Sequence, residues 1–129
     1  FEKCEQIFDA CCGVGGDLLY LPEQAIGVDI DPLRCWMANQ NTGKKVICED
    51  ARTCSELKTA SILLDPTRRD INGRRLDIDH MQPTISEVQA ICANAAGGCV
   101  KLSPAINLED VAGIGDSGCR VGCPGGNYF

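Results

Sequence analysis

Residues 7–17 read Ile7-Phe8-Asp9-Ala10-Cys11-Cys12-Gly13-Val14-Gly15-Gly16-Asp17, and a second telling stretch reads Gly27-Val28-Asp29-Ile30-Asp31-Pro32. A short apolar run enters a turn holding three glycines in four residues. A second apolar run then ends on a carboxylate, Asp29, twenty positions after Asp9. Near-continuous apolar stretches at 6–11 and 25–30 are the pattern of parallel strands covered on both faces. Residues 45–48, Ser61-Ile62-Leu63-Leu64 and Cys99-Val100-Lys101-Leu102 supply three more. Helices fit between them. The first, around 16–22, is unusually short. The second starts at Asp31, which can cap free N–H groups with Pro32 in the first turn, and runs through Met37 and Ala38 to about Asn41, before Gly43. A later helix spans about Thr84 to Ala96, with Ile85, Val88 and Ile91 or Cys92 on one face and Gly97-Gly98 ending it. Strands alternating with helices predict an α/β fold. Its expected form is an open parallel sheet of about five strands with right-handed crossovers, binding ligands beyond the carboxyl ends of the strands.

A chain of 129 residues holds at most one domain. Its motifs lie within 7–107, and the tail, 108–129, reads as glycine-rich loops around a weak strand near 119–121. It starts almost at the first strand and stops at Tyr128-Phe129 without a closing element. It therefore reads as part of a larger domain, with a bare sheet edge after the fifth strand through which it could associate. A net charge of −6 and a pI of about 4.6 exclude a chain that coats nucleic acid electrostatically, so such a partner needs a local basic patch. Ten cysteines would fit a small secreted disulfide scaffold. Against that, no signal peptide is visible, and Cys11 and Cys12 are adjacent at the end of an apolar run. Cys35, Cys48, Cys54, Cys92 and Cys99 fall inside regular elements, where a free thiol packs as a small hydrophobe. The expectation is a reduced, cytoplasmic protein. No apolar run reaches the roughly eighteen residues of a membrane span.

Glycine has no Cβ, so Gly13, Gly15 and Gly16 let the backbone turn tightly and approach a ligand, with the dipole of the short helix behind them. No Gly-Lys-Ser/Thr follows, so this is not a phosphate P-loop. Gly13-x-Gly15-Gly16 also lacks the Gly-x-Gly-x-x-Gly spacing of dinucleotide folds. Asp9 and Asp17 flank the loop; they would repel a pyrophosphate but suit a cationic or zwitterionic ligand carrying an amine. That leaves a nicotinamide-dependent oxidoreductase as a minor alternative. Asp29 can accept from both ribose hydroxyls, with a strand-end turn residue as the competing reading. Asp31 reads as a purely structural cap. After the third strand, Glu49-Asp50-Ala51 offers a carboxylate to an adenine amine and a backbone N–H to a ring nitrogen.

These residues carry a resemblance. The stretches 9–17, 27–32, Glu49-Asp50-Ala51 and Asp65-Pro66-Thr67-Arg68-Arg69 resemble the successive motifs of class I S-adenosylmethionine-dependent methyltransferases. Within that superfamily the chain is most similar to bacterial methyltransferases with a THUMP-like domain; Gly73-Arg74-Arg75 and Lys101-Leu102-Ser103-Pro104 also resemble that branch. The likeness covers residues 7–107. It implies a Rossmann-like sheet, of which this chain supplies about five strands, and S-adenosyl-L-methionine as cofactor. It further implies that Asp9 and the loop of Gly13, Gly15 and Gly16 meet the methionine part, Asp29 the ribose, and Asp50 with Ala51 the adenine. Cys11 and Ile30 complete the expected cofactor contacts. The family's substrate-binding or THUMP-like portions are not expected within this chain.

Methyl transfer needs little covalent help, so the protein mainly aligns and desolvates the nucleophile. At the end of the fourth strand, Asp65 and the Pro66 carbonyl can each accept a hydrogen bond from a substrate amine, which makes them the candidate catalytic residues. In amino-methyltransferases this slot resembles an Asp/Asn-Pro-Pro-aromatic motif. Here Thr67 stands at the second proline and Arg68 at the aromatic residue. A guanidinium still stacks on a base or pairs with phosphate. Beside Thr67, residues 67–76 carry Arg68, Arg69, Arg74 and Arg75 against Asp70 alone, a basic segment in an acidic chain. It fits RNA or another anionic substrate; it equally fits a solvated loop whose arginines pair with Asp77 and Asp79. His80, the only histidine, reads as a loop contact, and Cys119-x-x-x-Cys123 has no standard zinc spacing, so no metal is expected. Trp36 and Met37 read as packing for the second helix, and Lys101 and Ser103 as facing either crevice or solvent. The expected function is S-adenosylmethionine-dependent methyl transfer. The altered slot at 65–69 keeps a non-catalytic cofactor-binding or interaction module as the alternative.

Overall fold

The computed structural model describes residues 6–67, 81–102, 108–111, 114, 120–122 and 126–128. The chain runs through Ile7–Ala10 (β1), a 3-10 turn at Leu18–Tyr20, Ile26–Asp29 (β2), Pro32–Thr42 (α1), Val46–Cys48 (β3), and a 3-10 turn at Ser55–Leu57. It continues through Ser61–Leu64 (β4), Ile85–Asn94 (α2), Gly97–Val100 (β5), a 3-10 turn at Leu108–Val111, Arg120–Gly122 (β6) and Gly126–Tyr128 (β7). The strands form one sheet in the order β3-β2-β1-β4-β5-β7-β6. The strands β1 to β5 pair in parallel, as their apolar runs require, with Ala10 level with both Val28 and Leu64. The bare edge expected after β5 is not there. The strand β7 covers it antiparallel, Cys99 opposite Tyr128 and Val100 opposite Asn127, and β6 pairs antiparallel with β7. The weak strand expected near 119–121 is β6, whereas β7, three residues beginning with glycine, carries too little period-2 pattern to be read from sequence.

The core is made by residues that the sheet and the later helix turn inward. Phe8, Val28, Ile62, Leu64, Val88 and Val100 are fully buried, each contributing about 1.5–3 kcal/mol by leaving water. The helix α1 begins and ends as its local signals dictate. The Asp31 carboxylate accepts from the Leu33 and Arg34 N–H groups at 2.8 and 3.3 Å, Pro32 takes the first turn, and Gly43 closes the helix. Its buried face is Cys35 and Ala38, and Trp36 is 62% exposed with Met37 also on the surface. The expected packing role of those two fails because each step along a helix turns about 100°, which carries 36 and 37 off the inner stripe.

The helix α2 starts in a reciprocal capping box between Thr84 and Glu87 and buries Val88, Ile91 and Cys92. It stops at Asn94, and Gly97 and Gly98 belong to β5 rather than to the helix end. The reason is tertiary. Gly98 has φ +151°, and a Cβ there would run into the Ile62 carbonyl of the neighbouring strand. The short first helix shrinks to the three-residue turn at Leu18–Tyr20, too short to present a useful dipole. A buried lysine holds that turn: Lys44 Nζ donates to the Leu18 and Leu21 carbonyls, each at 2.7 Å.

Connectivity decides where a ligand can sit. From β1 the chain moves outward through β2 to β3, then returns to place β4 on the other side of β1. The loops leaving β1 and β4 therefore part and open a crevice at their carboxyl ends. Among the described residues, no helix is long and apolar enough to cross a membrane.

Candidate functional site

Six residues singled out in the sequence, Cys11, Asp29, Ile30, Asp50, Ala51 and Thr67, line one cavity of about 250 Å³. Arg34, Arg52, Gln82 and Pro83 help to complete it. Sites that enclose a whole drug-sized ligand run roughly 300–1,000 Å³, so this one has the scale of a nucleoside. The Asp29 side chain is almost fully buried at the end of β2. Its Oδ2 accepts from the Gly13 N–H at 2.9 Å and its Oδ1 from the Asp31 N–H at 3.0 Å. Asp29 thus ties the glycine turn to the start of α1, and each oxygen keeps acceptor capacity beyond its one backbone partner. Ribose contact and turn building, posed as competing readings, are compatible at this residue.

The glycine loop divides its labour. Chain neighbours apart, no atom of the described residues lies within 4 Å of where a Cβ would stand on Gly13 or Gly16, so the loop keeps an open side there. Gly15 instead faces α1, where a Cβ would come 2.9 Å from Thr42 and 3.2 Å from Ala38, and its φ of +90° is one that side chains resist. Cys11 turns the chain out of β1 in the left-handed region (φ 63°), a strain of about 1–3 kcal/mol for a residue other than glycine. Thr67 meets Gln82 in a two-bond bridge, its N–H donating to the Gln82 carbonyl at 2.7 Å and its carbonyl accepting the return bond at 3.0 Å.

A second group sits at the mouth between β1 and β4. Asp9 is 1% exposed, and among the described residues no donor meets either of its carboxylate oxygens at hydrogen-bond geometry. Lys101, just past β5, donates to Asp17 at 2.7 Å and lies 3.5 Å from Asp65, bridging the glycine loop to the end of β4. Burial pushes Asp9 up to about 7, reinforced by the charges of Asp17 and Asp65 and opposed by Lys101 and, weakly, by the nearby Leu18 backbone N–H, which falls short of hydrogen-bond geometry. The hydrogen bond to Asp17 is the main cause that raises Lys101, keeping it a cation. Burial holds the Cys11 and Cys12 thiols up at about 12, so neither is a nucleophile at neutral pH. Pro66, next to Asp65, is fully buried.

Arg68, Arg69, Arg74, Arg75, His80, Ser103, Cys4, Cys119 and Cys123 lie outside the described residues. Among the described residues, no group of three or more His, Cys, Asp or Glu could hold a metal ion, and the described cysteines are free thiols. Two residues in the site architecture escaped the sequence reading. Lys44 has no sequence signal, because a lysine after a helix-ending glycine looks like surface. Arg52 had one: it stands two positions after Asp50, and its N–H closes the turn that an Asp side chain makes with the backbone two residues on.

No family model matches the chain. In sequence it is similar to two curated Mycobacterium tuberculosis proteins from different strains, each described as an uncharacterized S-adenosylmethionine-dependent methyltransferase. The identity is 30% over 119 residues, covering 87% of this chain and 33% of theirs. The chain therefore spans about a third of the length of the curated relatives it matches. In structure it is similar to the magnesium protoporphyrin IX methyltransferase of Synechocystis PCC 6803, solved with its methyl donor bound. The TM-score there is 0.61 at 13% identity, over 95% of this chain and 66% of that one. This is the class I methyltransferase fold. A sugar N-methyltransferase from Streptoalloteichus shares this methyltransferase fold at a TM-score of 0.55 and 18% identity, over 82% of this chain and 44% of that one. On the methyltransferase fold, the cavity at Asp29 and Asp50 lies at the carboxyl ends of the central strands, where the topology opens the sheet, and Asp9 is the next-to-last residue of β1.

Proposed function

We propose that this chain binds S-adenosyl-L-methionine and serves methyl transfer from it. The observations that carry the reading are Asp9, a buried carboxylate whose oxygens meet no donor at hydrogen-bond geometry among the described residues, and a nucleoside-sized cavity walled by Cys11, Asp29, Asp50 and Ala51. Leaving such a group unpaired is costly, and a ligand ammonium is the partner it lacks. The open sides of Gly13 and Gly16 leave room for a ligand beside the loop. Asp29 takes the ribose hydroxyls on its remaining lone pairs, Ile30 lies along the nucleoside, and Asp50 with the Ala51 N–H meets the base. When bound, the cofactor supplies a methyl group on a sulfonium sulfur. The chain's own part is to bind, orient and exclude water. Asp65, with Lys101 beside it, and the Pro66 carbonyl receive the acceptor's N–H and aim its lone pair. The descriptions of the curated relatives favour this reaction over a non-catalytic module.

The finer reading is a nucleophile on RNA or another anionic substrate, in a methyltransferase of the branch with a THUMP-like domain. Its support is the sequence: Arg68, Arg69, Arg74 and Arg75 follow the Asp65-Pro66-Thr67 slot in an otherwise acidic chain. Calorimetric titration of the intact protein with S-adenosylmethionine, S-adenosylhomocysteine and NAD tests the cofactor. Binding of both sulfur compounds and not of NAD is expected; binding of neither sulfur compound sinks the reading. Radiolabelled methyl transfer into total RNA, protein and small-molecule pools tests the acceptor. Label confined to protein or to uncharged small molecules overturns the RNA and anionic readings.

A further inference from the structure

Two thiols gather at the backbone of Asp29 and Ile30. Cys35, on the buried face of α1, donates its S–H to the Asp29 carbonyl at 3.2 Å and lies 3.9 Å from the Ile47 carbonyl. Cys48 ends β3 level with Asp29, and its Sγ lies 3.8 Å from the Ile30 carbonyl. Alternation along β3 puts Cys48 on the face of Val46, which packs with Leu18, and the Leu18 turn is itself in contact with α1. The two thiols adjoin. Burial is the main cause that pushes Cys35 up to about 11, and the neighbouring Cys48 thiol adds to it. Cys48 is exposed where the edge strand ends, so the packing role expected of it from sequence fails.

An exposed thiol backed by a buried one is the arrangement of a sulfur that meets an oxidant and a sulfur that resolves it. We propose that Cys48 and Cys35 form a reversible disulfide, and that closing it weakens the nucleoside end of the cofactor site. The oxidant is a low-molecular-weight disulfide. The Cys48 thiolate attacks one of its sulfurs, the S–S bond breaks, and one small thiol leaves with Cys48 held in a mixed disulfide. Cys35 then gives its proton to water, attacks the Cys48 sulfur and expels the second small thiol. The chain's two thiols are oxidised and one small disulfide is reduced. Cys12 is the competing partner, its sulfur 2.9 Å from where a Cβ on Gly27 would stand. It is buried and held up at about 12, so the oxidant reaches Cys48 first. The coupling runs through Asp29, whose carboxylate holds the Gly13 and Asp31 N–H groups, and through Ile30, which lines the cavity. Bringing the sulfurs from contact to a bond takes the Cys35 S–H from the Asp29 carbonyl and draws α1 toward the end of β3. The coupling rests on the cofactor reading above; the disulfide does not.

Reduced, intact protein treated with oxidised glutathione and mapped by mass spectrometry tests the disulfide. A linked Cys35–Cys48 peptide that dithiothreitol removes is expected. Cys35→Ser keeps a hydroxyl donor for the Asp29 carbonyl and should hold glutathione on Cys48, whereas Cys48→Ser should form no disulfide at Cys35. Calorimetry with S-adenosylhomocysteine should show the linked form binding about fivefold more weakly, with affinity restored by reduction. By reciprocity, saturating ligand should favour the reduced pair by that same factor in a glutathione buffer. The disulfide joins residues thirteen positions apart and constrains the unfolded chain, so the urea midpoint should not fall. Absence of the linked peptide, or Cys35 joined to Cys12 instead, overturns the disulfide. Unchanged affinity in the linked form, an equal loss in treated Cys48→Ser, or a fallen urea midpoint overturns the coupling. A reduced protein that does not bind S-adenosylhomocysteine overturns the cofactor reading and the coupling with it, while the linked peptide still decides the disulfide.

Discussion

Replacing Asp9 by asparagine separates what this carboxylate costs the fold from what it gives the site. In the native state the group lies 1% exposed near Asp17 and Asp65, with Lys101 the opposing charge among the described residues and the protonated thiols of Cys11 and Cys12 alongside. Moving a carboxyl from 3.8 to about 7 costs the ionised native state about 4 kcal/mol. Between about pH 4 and 7 the unfolded chain has lost a proton that folded Asp9 keeps, so the native state binds more protons and stability falls as pH rises. Above about pH 7 both states are ionised and the loss is complete. The amide of Asp9→Asn cannot titrate, so the variant should lack this fall and be about 2–4 kcal/mol more stable than the wild type at about pH 8, the range allowing for the unpaired amide. Urea unfolding followed at several values from about pH 5 to 8 measures it. Cofactor binding should move the other way. Below about pH 7, affinity for S-adenosylhomocysteine should rise about tenfold per pH unit as Asp9 becomes ionised, then level off, and in Asp9→Asn it should be weak throughout. Parallel wild-type and variant stability profiles would refute the buried-acid reasoning. Tight binding by Asp9→Asn would refute its role toward the ligand amine.

Asp31→Ala should cost about 1 kcal/mol by removing the cap of α1, measured by urea unfolding, and leave cofactor affinity within about twofold; Asp29→Ala should lower that affinity more than about tenfold. Lys44→Met should cost about 1–3 kcal/mol by stranding the Leu18 and Leu21 carbonyls, with a thermal midpoint little changed by salt, because Lys44 is paired there with backbone rather than with a carboxylate. Gly98→Ala should cost more than about 4 kcal/mol, since its methyl group meets the Ile62 backbone, and amide exchange should show β4 and β5 opening together.

Legibility followed the range of each interaction. The helix α1 could be read almost to the residue because Asp31, Pro32 and Gly43 act on their own neighbours through capping and backbone conformation. The five parallel strands were legible as apolar runs, although β5 begins earlier than its apolar residues suggest, because Gly97 and Gly98 looked like a helix stop. Whether a glycine ends a helix or admits a neighbouring strand depends on Ile62, which lies thirty-six positions away. Trp36 and Met37 were misread for a similar reason, since composition names apolar residues and only the packed face says which of them are covered.

By itself, the sequence determined the fold class and the glycine turn, and it singled out the carboxylates at 9, 29 and 50. Local chemistry suffices for that, because strand pattern, turn residues and capping are written within a few positions. Tertiary structure alone decided that the β5 edge is covered by β7, that Lys101 bridges Asp17 and Asp65 in front of a buried Asp9, and that Arg52 braces Asp50 against α2. Each of these joins residues that are remote in sequence or depends on how far a charge lies from water. Burial and long-range pairing are properties of the assembled sheet, and no window of the sequence contains them.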